Sequence, residues 1–137
     1  MNTWSKSWKA SKQPKKQRKY RYEAPLHIKQ HFFGAHLSKE LRQKYNRRSI
    51  VVVKEDKVKV IAGQFKGHTG KIEKVNLRKT KVFVSGIEIS KKDGSKALYP
   101  IHPSNIIIIE LNLNDKKRVS MLDRKKIVKE EKQTSKK

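Results

Sequence analysis

The sequence predicts a mainly β protein, with one small barrel, two short helices ahead of it and basic extensions at both ends. Three observations lead there. The β-branched residues, the alternating patterns and five of the six glycines gather in the middle of the chain. Tight-turn signals divide that region into roughly four to six short strands in about 65 residues, which suits a small barrel better than an open sheet. Charge is least lopsided there as well: residues 49–115 hold twelve Lys/Arg and seven acids, against fourteen and two in 1–48 and ten and three in 116–137.

Over 137 residues, 36 Lys and Arg oppose 12 Asp and Glu, a net charge of +24. Such self-repulsion opposes compaction unless a polyanion neutralises it, so nucleic acid is the expected partner. Only 34% of the chain is hydrophobic and 35% is charged, too polar a balance for all of it to pack. The longest apolar stretch, Ile106 to Ile109, is strand-sized and far short of the about 18 residues a membrane span needs. The absence of cysteine excludes disulfides, thiol catalysis and cysteine-ligated zinc. Met1 to Ala10 carries Trp4, Trp8 and two lysines with no apolar run behind them, unlike a secretory signal, so a cytoplasmic location is expected.

Residues 1–24 read as an extended basic arm. Lys12 to Arg21 is mostly cationic and polar, Pro14 interrupts it, and nothing in it repeats at a helical period. Residues 25–48 read as short helices. Pro25 suits a first turn, with Leu26, Ile28, Phe32 and Phe33 giving a helix that ends near Gly34. Ser38 caps a second helix, Glu40 sits in its first turn, Leu37, Leu41 and Tyr45 form one stripe, and Asn46 stops it. Residues 49–115 supply the strands: Ile50 to Val53, Asp56 to Val60, a hairpin of Gly70 to Asn76 with Thr80 to Ser85, the pair Ile87 to Ser90 and Ala97 to Tyr99 around an Asp93-Gly94 turn, and Ile106 to Leu111. In Asp56 to Val60, Val58 and Val60 fall on one side and lysines on the other. Residues 116–137 form a basic tail with some helical character around Val119, Leu122 and Ile127, marginal on its own.

The most informative stretch is Asp56-x-Val58-x-Val60-x-x-Gly63-x-x-Lys66-Gly67-x-x-Gly70-x-Ile72. A strand enters a glycine-rich loop and returns as a strand, so the loop can turn tightly and let another backbone come close, with Lys66 and His68 at its tip. On spacing alone, an ordinary hairpin with a solvated lysine explains it too. It is no Walker loop, because Phe65 stands where the leading glycine belongs and Ile72 replaces the Ser/Thr. It contains no dinucleotide fingerprint either.

This pattern resembles the KOW motif. The chain around it resembles the archaeal and eukaryotic form of the universal large-subunit ribosomal protein twenty-four, twenty-six in older eukaryotic naming. Segments that match in order are Ser11 to Lys19, Ala24-Pro25-Leu26-His27, Ala35 to Arg42, Tyr45 to Ser49 and Ile101-His102-Pro103-Ser104-Asn105. The likeness runs from about Ser11 to Arg118. The KOW motif alone is shared with transcription elongation factors; the flanking segments carry the specificity.

The resemblance implies an SH3-like barrel that binds rRNA early in large-subunit assembly, beside the nascent-chain exit, with no catalysis and no cofactor. Implied partners are large-subunit rRNA, neighbouring large-subunit ribosomal proteins, and targeting or translocation factors at the tunnel exit. The family's rRNA contacts fall on Lys15, Lys16, Arg18, Lys19 and Arg21 of the arm, Arg47 and Arg48 of the linker, and Lys66, Gly67 and His68 of the loop, with cations holding phosphates and glycine permitting approach. The expected contact set also takes in Lys12, His27, Arg42, Lys44, Lys71, Arg78, Lys79, His102 and Ser104.

His27 and His31 have a spacing that can ligate zinc, but Ile28-Lys29-Gln30 between them offers no general base and Lys29 repels a dication, so stacking, phosphate bonding or plain packing is expected of the histidines. Trp4, Trp8, Tyr20 and Tyr22, interleaved with cations, suit stacking on irregular RNA or stand as exposed aromatics. Carboxylates are mostly scattered singly as ion-pair partners, Glu55-Asp56 serve the turn into the barrel, and no nucleophile sits in an activating context. A KOW-type transcription elongation module is the alternative reading, and an RNA-modifying enzyme a weaker one. The elongation module needs an upstream α/β domain that the first 48 residues cannot make.

Overall fold

The computed structural model describes residues 4–124. A 3-10 helix, Lys6–Ala10, leads to α1 (Pro14–Glu23) and α2 (Leu26–Lys29), which continues as a 3-10 turn over Gln30–Phe33. Then follow β1 (Gly34–Leu37), α3 (Lys39–Tyr45), β2 (Ser49–Val51), β3 (Lys57–Val60), β4 (Thr69–Asn76), β5 (Lys81–Val84), β6 (Glu88–Ser90), β7 (Lys96–Leu98), a 3-10 turn Pro103–Asn105 and β8 (Ile106–Glu110). Residues 116–124 are helical and are called α4. The class is mainly β with short helices, as the sequence predicts. No helix among the described residues is long and apolar enough to cross a membrane.

Six strands form one mixed sheet in the order β2-β1-β8-β3-β4-β5, and β6 and β7 make a separate hairpin. β8 lies inside the sheet, parallel to β1 and antiparallel to β3. That position explains its unbroken isoleucine run, in which Ile106 and Ile108 are fully buried. The strict alternation of β3 also holds: Val58 and Val60 are buried and Lys59 is exposed. With Phe33, Leu37, Ile72, Val82, Val84 and Ile87 these residues form the main core, each large aliphatic side chain contributing about 1.5–3 kcal/mol of burial.

A register shift between Ile72 and Lys74 adds a bulge to β4, which raises the local twist. The ladder order is open, but Val82 bridges Ile101. The stretch 101–110 therefore meets β5 at its start and β3 at its end, drawing the two sides of the β3-β4-β5 meander together.

α3 forms where its sequence signals place it. The Ser38 hydroxyl accepts from the Leu41 amide, and Asn46 ends the helix in the left-handed region at φ 49°. β1 was not anticipated from the sequence; Gly34 to Leu37 reads there as the end of one helix and the approach to the next.

The expectation of an extended arm over residues 1–24 needs correction. Pro14 occupies the first turn of α1, where its missing N–H costs nothing, so it starts a helix instead of interrupting an arm. Aromatic packing then fixes the helix in place. Trp4 stacks on Tyr20 at 5.3 Å and its indole N–H donates to the Tyr20 carbonyl at 3.0 Å, while Tyr20 meets Phe32 edge-on at 6.1 Å. Tyr20 and Ala24 are buried by this packing, outside the main core cluster.

The core also extends past residue 115. Asp115 caps α4, its carboxylate accepting from the Lys117 amide at 2.8 Å, and Leu122 enters the main cluster. Arg118 is buried against Asp56, which joins a structural ion pair besides serving the turn, where it accepts from the Val53 amide. Ile127, part of the helical reading of the tail, lies outside the described residues.

Candidate nucleic-acid interface

Three adjoining depressions share lining residues and form one concave strip. The first, about 650 Å³, is lined by Lys6, Lys9, Gln17, Tyr20, Arg21, Ile28, His31 and Phe32. Arg21 and Phe32 pass into a second cleft of about 260 Å³, completed by Thr80 and His102. His102 continues into a third of about 110 Å³ between the β3–β4 loop and the residues ahead of β8, where Lys81, Gln64, Phe65, Tyr99 and Asn105 are among the walls. The strip thus crosses from α1 to the sheet and keeps cations along its length.

Local structure positions each part. Arg21 lies in the last turn of α1. Lys29, buried despite its charge, donates from Nζ to the Tyr22 carbonyl at 2.8 Å and lies 3.5 Å from the Arg78 carbonyl, tying the end of α1 to the β4–β5 turn. Thr80 ends that turn at φ 53°, a left-handed conformation rare for a β-branched residue. His102 caps the Pro103–Asn105 turn, its Nδ1 accepting from the Ser104 amide at 3.3 Å with the Ser104 hydroxyl at 2.8 Å. Partial burial of the ring, then the positive charges of Lys81 and Arg21, hold the His102 pKa below its ordinary value. A neutral ring whose Nδ1 accepts keeps its proton on Nε2.

The other expected contact residues divide into three groups. Lys12, Lys15, Lys16, Arg18, His27, Arg48, Lys66, Lys71, Arg78 and Lys79 are exposed and can meet phosphate, as is Lys44, whose ammonium stands 5.4 Å over the Tyr45 ring. Lys19 is exposed too, 5.0 Å over the Trp8 ring and 3.9 Å from Glu23. Three others are engaged within the fold. Arg42 donates to the Leu37 carbonyl at 2.7 Å, Arg47 to the Met121 carbonyl at 2.6 Å, and His68, 3.1 Å from the Ser85 carbonyl, leans against Gly86 instead of projecting from the loop. Gly67, at φ 92°, lies at the exposed tip with its amide bonded to the Val60 carbonyl at 2.8 Å.

Sequence reasoning did not select Lys6, Lys9, Phe32, Thr80 or Lys81 as contacts, and it gave His31 stacking, phosphate bonding or packing as its expected roles. Lys81 was visible as the continuation of the Arg78-Lys79 pair; Phe32 carried no signal beyond an apolar helix face.

A small basic β protein with a cationic, aromatic-floored strip belongs to the class that lies along a polyanion. The model of a ribosomal-protein family, the eukaryotic L26 proteins together with their archaeal form numbered twenty-four, matches residues 11–125. Large ribosomal subunit protein uL24 of Methanosphaera stadtmanae is 47% identical over 115 residues, 84% of this chain and 98% of that protein. The uL24 of Methanocella arvoryzae is also 47% identical over 115 residues, 84% of this chain and 93% of its own length. The chain belongs to this ribosomal-protein family, a family of structural proteins and not of enzymes. The match spans the helices upstream of the KOW motif as well as the motif, and the elongation-module reading finds no support.

Proposed function

We propose that this chain, a structural constituent of the large ribosomal subunit, binds large-subunit rRNA along the strip from Lys6 through Arg21 and His102 to Lys81. The observation that carries this reading is the continuity of the strip: adjoining depressions from α1 to the β3–β4 loop share Arg21, Phe32 and His102. Exposed cations on α1, at Arg48 and at Lys66 hold further phosphates. Family resemblance supports the remainder of the proposal, namely entry early in subunit assembly and a place beside the nascent-chain exit on the cytoplasmic ribosome. There the protein would touch neighbouring large-subunit proteins and targeting or translocation factors.

Sedimentation of the native protein through a sucrose gradient after a high-salt wash tests the assignment, with co-migration with large subunits as the expected result. Photo-crosslinkers at Arg21, Lys66 and Lys81 should then capture rRNA. Migration with polymerase, or crosslinks to protein alone at all three positions, would overturn it.

A further inference from the structure

We infer that the cleft bounded by Arg21, Phe32, Thr80 and His102 seats a single unstacked nucleotide, its base on the Phe32 ring and its phosphate against Arg21. The inference rests on the rRNA-binding reading above and adds what that site recognises. At about 260 Å³ the cleft falls below the roughly 300–1,000 Å³ typical of pockets for larger ligands. An aromatic wall beside a guanidinium is what a base with its attached phosphate requires.

Three details make this a built cleft and not a gap between elements. Phe32 is half-buried and braced by Tyr20, so its ring is held before a base arrives. Lys29 ties the end of α1, which carries Arg21, to the turn that carries Thr80, fixing the spacing of two walls. Thr80 keeps a left-handed backbone that most side chains avoid, a departure that the surrounding structure must hold in place. With Nδ1 of His102 engaged by Ser104, the N–H left on Nε2 can donate to an acceptor on the base edge. A paired base in an A-form helix has no face free for such a seat, so the recognised nucleotide is bulged, looped or terminal.

The test uses the full chain and two short RNA oligomers with identical phosphates, one wholly abasic and one carrying a single central adenine. The adenine oligomer should bind more tightly by about 5- to 150-fold, the range expected for stacking one base. Phe32→Trp should keep the preference, and Phe32→Leu should bring the two oligomers to within about twofold of each other. His102→Ala, which leaves the aromatic cluster untouched, should reduce the preference in part. Equal affinity of the unaltered protein for both oligomers, or a preference that survives both Phe32→Leu and His102→Ala, overturns the nucleotide seat. Salt-dependent binding to large-subunit rRNA fragments, measured in parallel, separates the two levels: its loss removes the rRNA-binding reading itself, whereas its persistence without base preference removes only the seat.

Discussion

Asp56 and Arg118 form a two-point ion pair in the core, Nη1 to Oδ1 at 2.7 Å and Nη2 to Oδ2 at 2.8 Å. Neither residue is solvated, and desolvation of both charges must be offset by geometry and further hydrogen bonds. Those bonds are present. Asp56 also accepts from the amides of Val53 and Asn112, each at 2.9 Å, and Arg118 donates to the carbonyls of Asn112 at 2.7 Å and Val51 at 3.3 Å. One carboxylate thus joins the entry to β3, the segment after β8 and α4.

Arg118→Ala should cost about 3–5 kcal/mol, because it leaves a buried carboxylate unpaired. Replacing both partners by Leu and Met should not restore the loss, since removing Asp56 takes the acceptor from the Val53 and Asn112 amides. Urea denaturation of the single and double variants decides this. Full recovery in the double variant would show that the pair itself, and not the backbone bonds around it, dominates.

The loop glycines should separate by mechanism. A Cβ at Gly70 would lie 2.7 Å from the Ser85 carbonyl oxygen and 2.8 Å from Val84 Cγ1, so Gly70→Ala forces β4 and β5 apart at a cost of about 1–3 kcal/mol. Gly67 meets open space but holds φ 92°, so Gly67→Val is destabilising through backbone strain by about 1–3 kcal/mol. Lys66→Ala, at an exposed side chain, should stay within about 0.5 kcal/mol. Thermal melts and subunit incorporation rank the three, and equal effects of Gly67→Val and Lys66→Ala would mean a loop with no conformational demand.

His102 should titrate below its ordinary 6.5 in the free protein, because burial and then Lys81 and Arg21 disfavour the imidazolium. For a base with a lowered folded-state pKa, the unfolded chain binds the proton first. The stability tied to neutral His102 is present above 6.5 and is lost as pH falls through the lowered value. RNA phosphate in the strip should move the titration upward again. Ring-proton NMR of the free and RNA-bound protein measures both shifts, and a free-protein midpoint at or above 6.5 would contradict the arrangement around His102.

Binding to large-subunit rRNA fragments should be dominated by counterion release. With roughly six to ten phosphate contacts, the log-log salt slope should lie at about −4 to −9. Removing residues 1–24 takes away eight Lys/Arg and should make the slope shallower. The melting temperature should fall only modestly, since Tyr20 and Ala24 lie outside the main cluster, although Lys29 loses its Tyr22 carbonyl. A truncated protein that unfolds, or one that binds as steeply as the intact chain, would show that α1 has been given the wrong role.

The legible parts of this fold were those decided by near neighbours in sequence. Ser38 with the Leu37, Leu41 and Tyr45 stripe, the Val58 and Val60 alternation and the Asp93-Gly94 turn each reflect a period or a backbone preference expressed within a few residues. β1 escaped notice because four residues are too few for a period, and its partners stand far off at Ile50 and Ile107. α1 escaped because nearly all of it is polar and only Tyr20 is buried, its support coming from Trp4 and Phe32. The roles of the cations were the least legible. Lys29, Arg47 and Arg118 look like their exposed neighbours in composition, and only the tertiary arrangement turns them toward carbonyls and a carboxylate.

β8 is the last strand among the described residues yet lies between β1 and β3. During synthesis, then, the β1–β2 pair and the β3-β4-β5 meander emerge first as two separate pieces with nothing to join them. Each presents an unpaired edge until Ile106–Glu110 arrives, and such edges invite association between chains. The strongly cationic segments made before β8 give the nascent chain a reason to stay apart from its copies, and rRNA a reason to capture it before the sheet is complete.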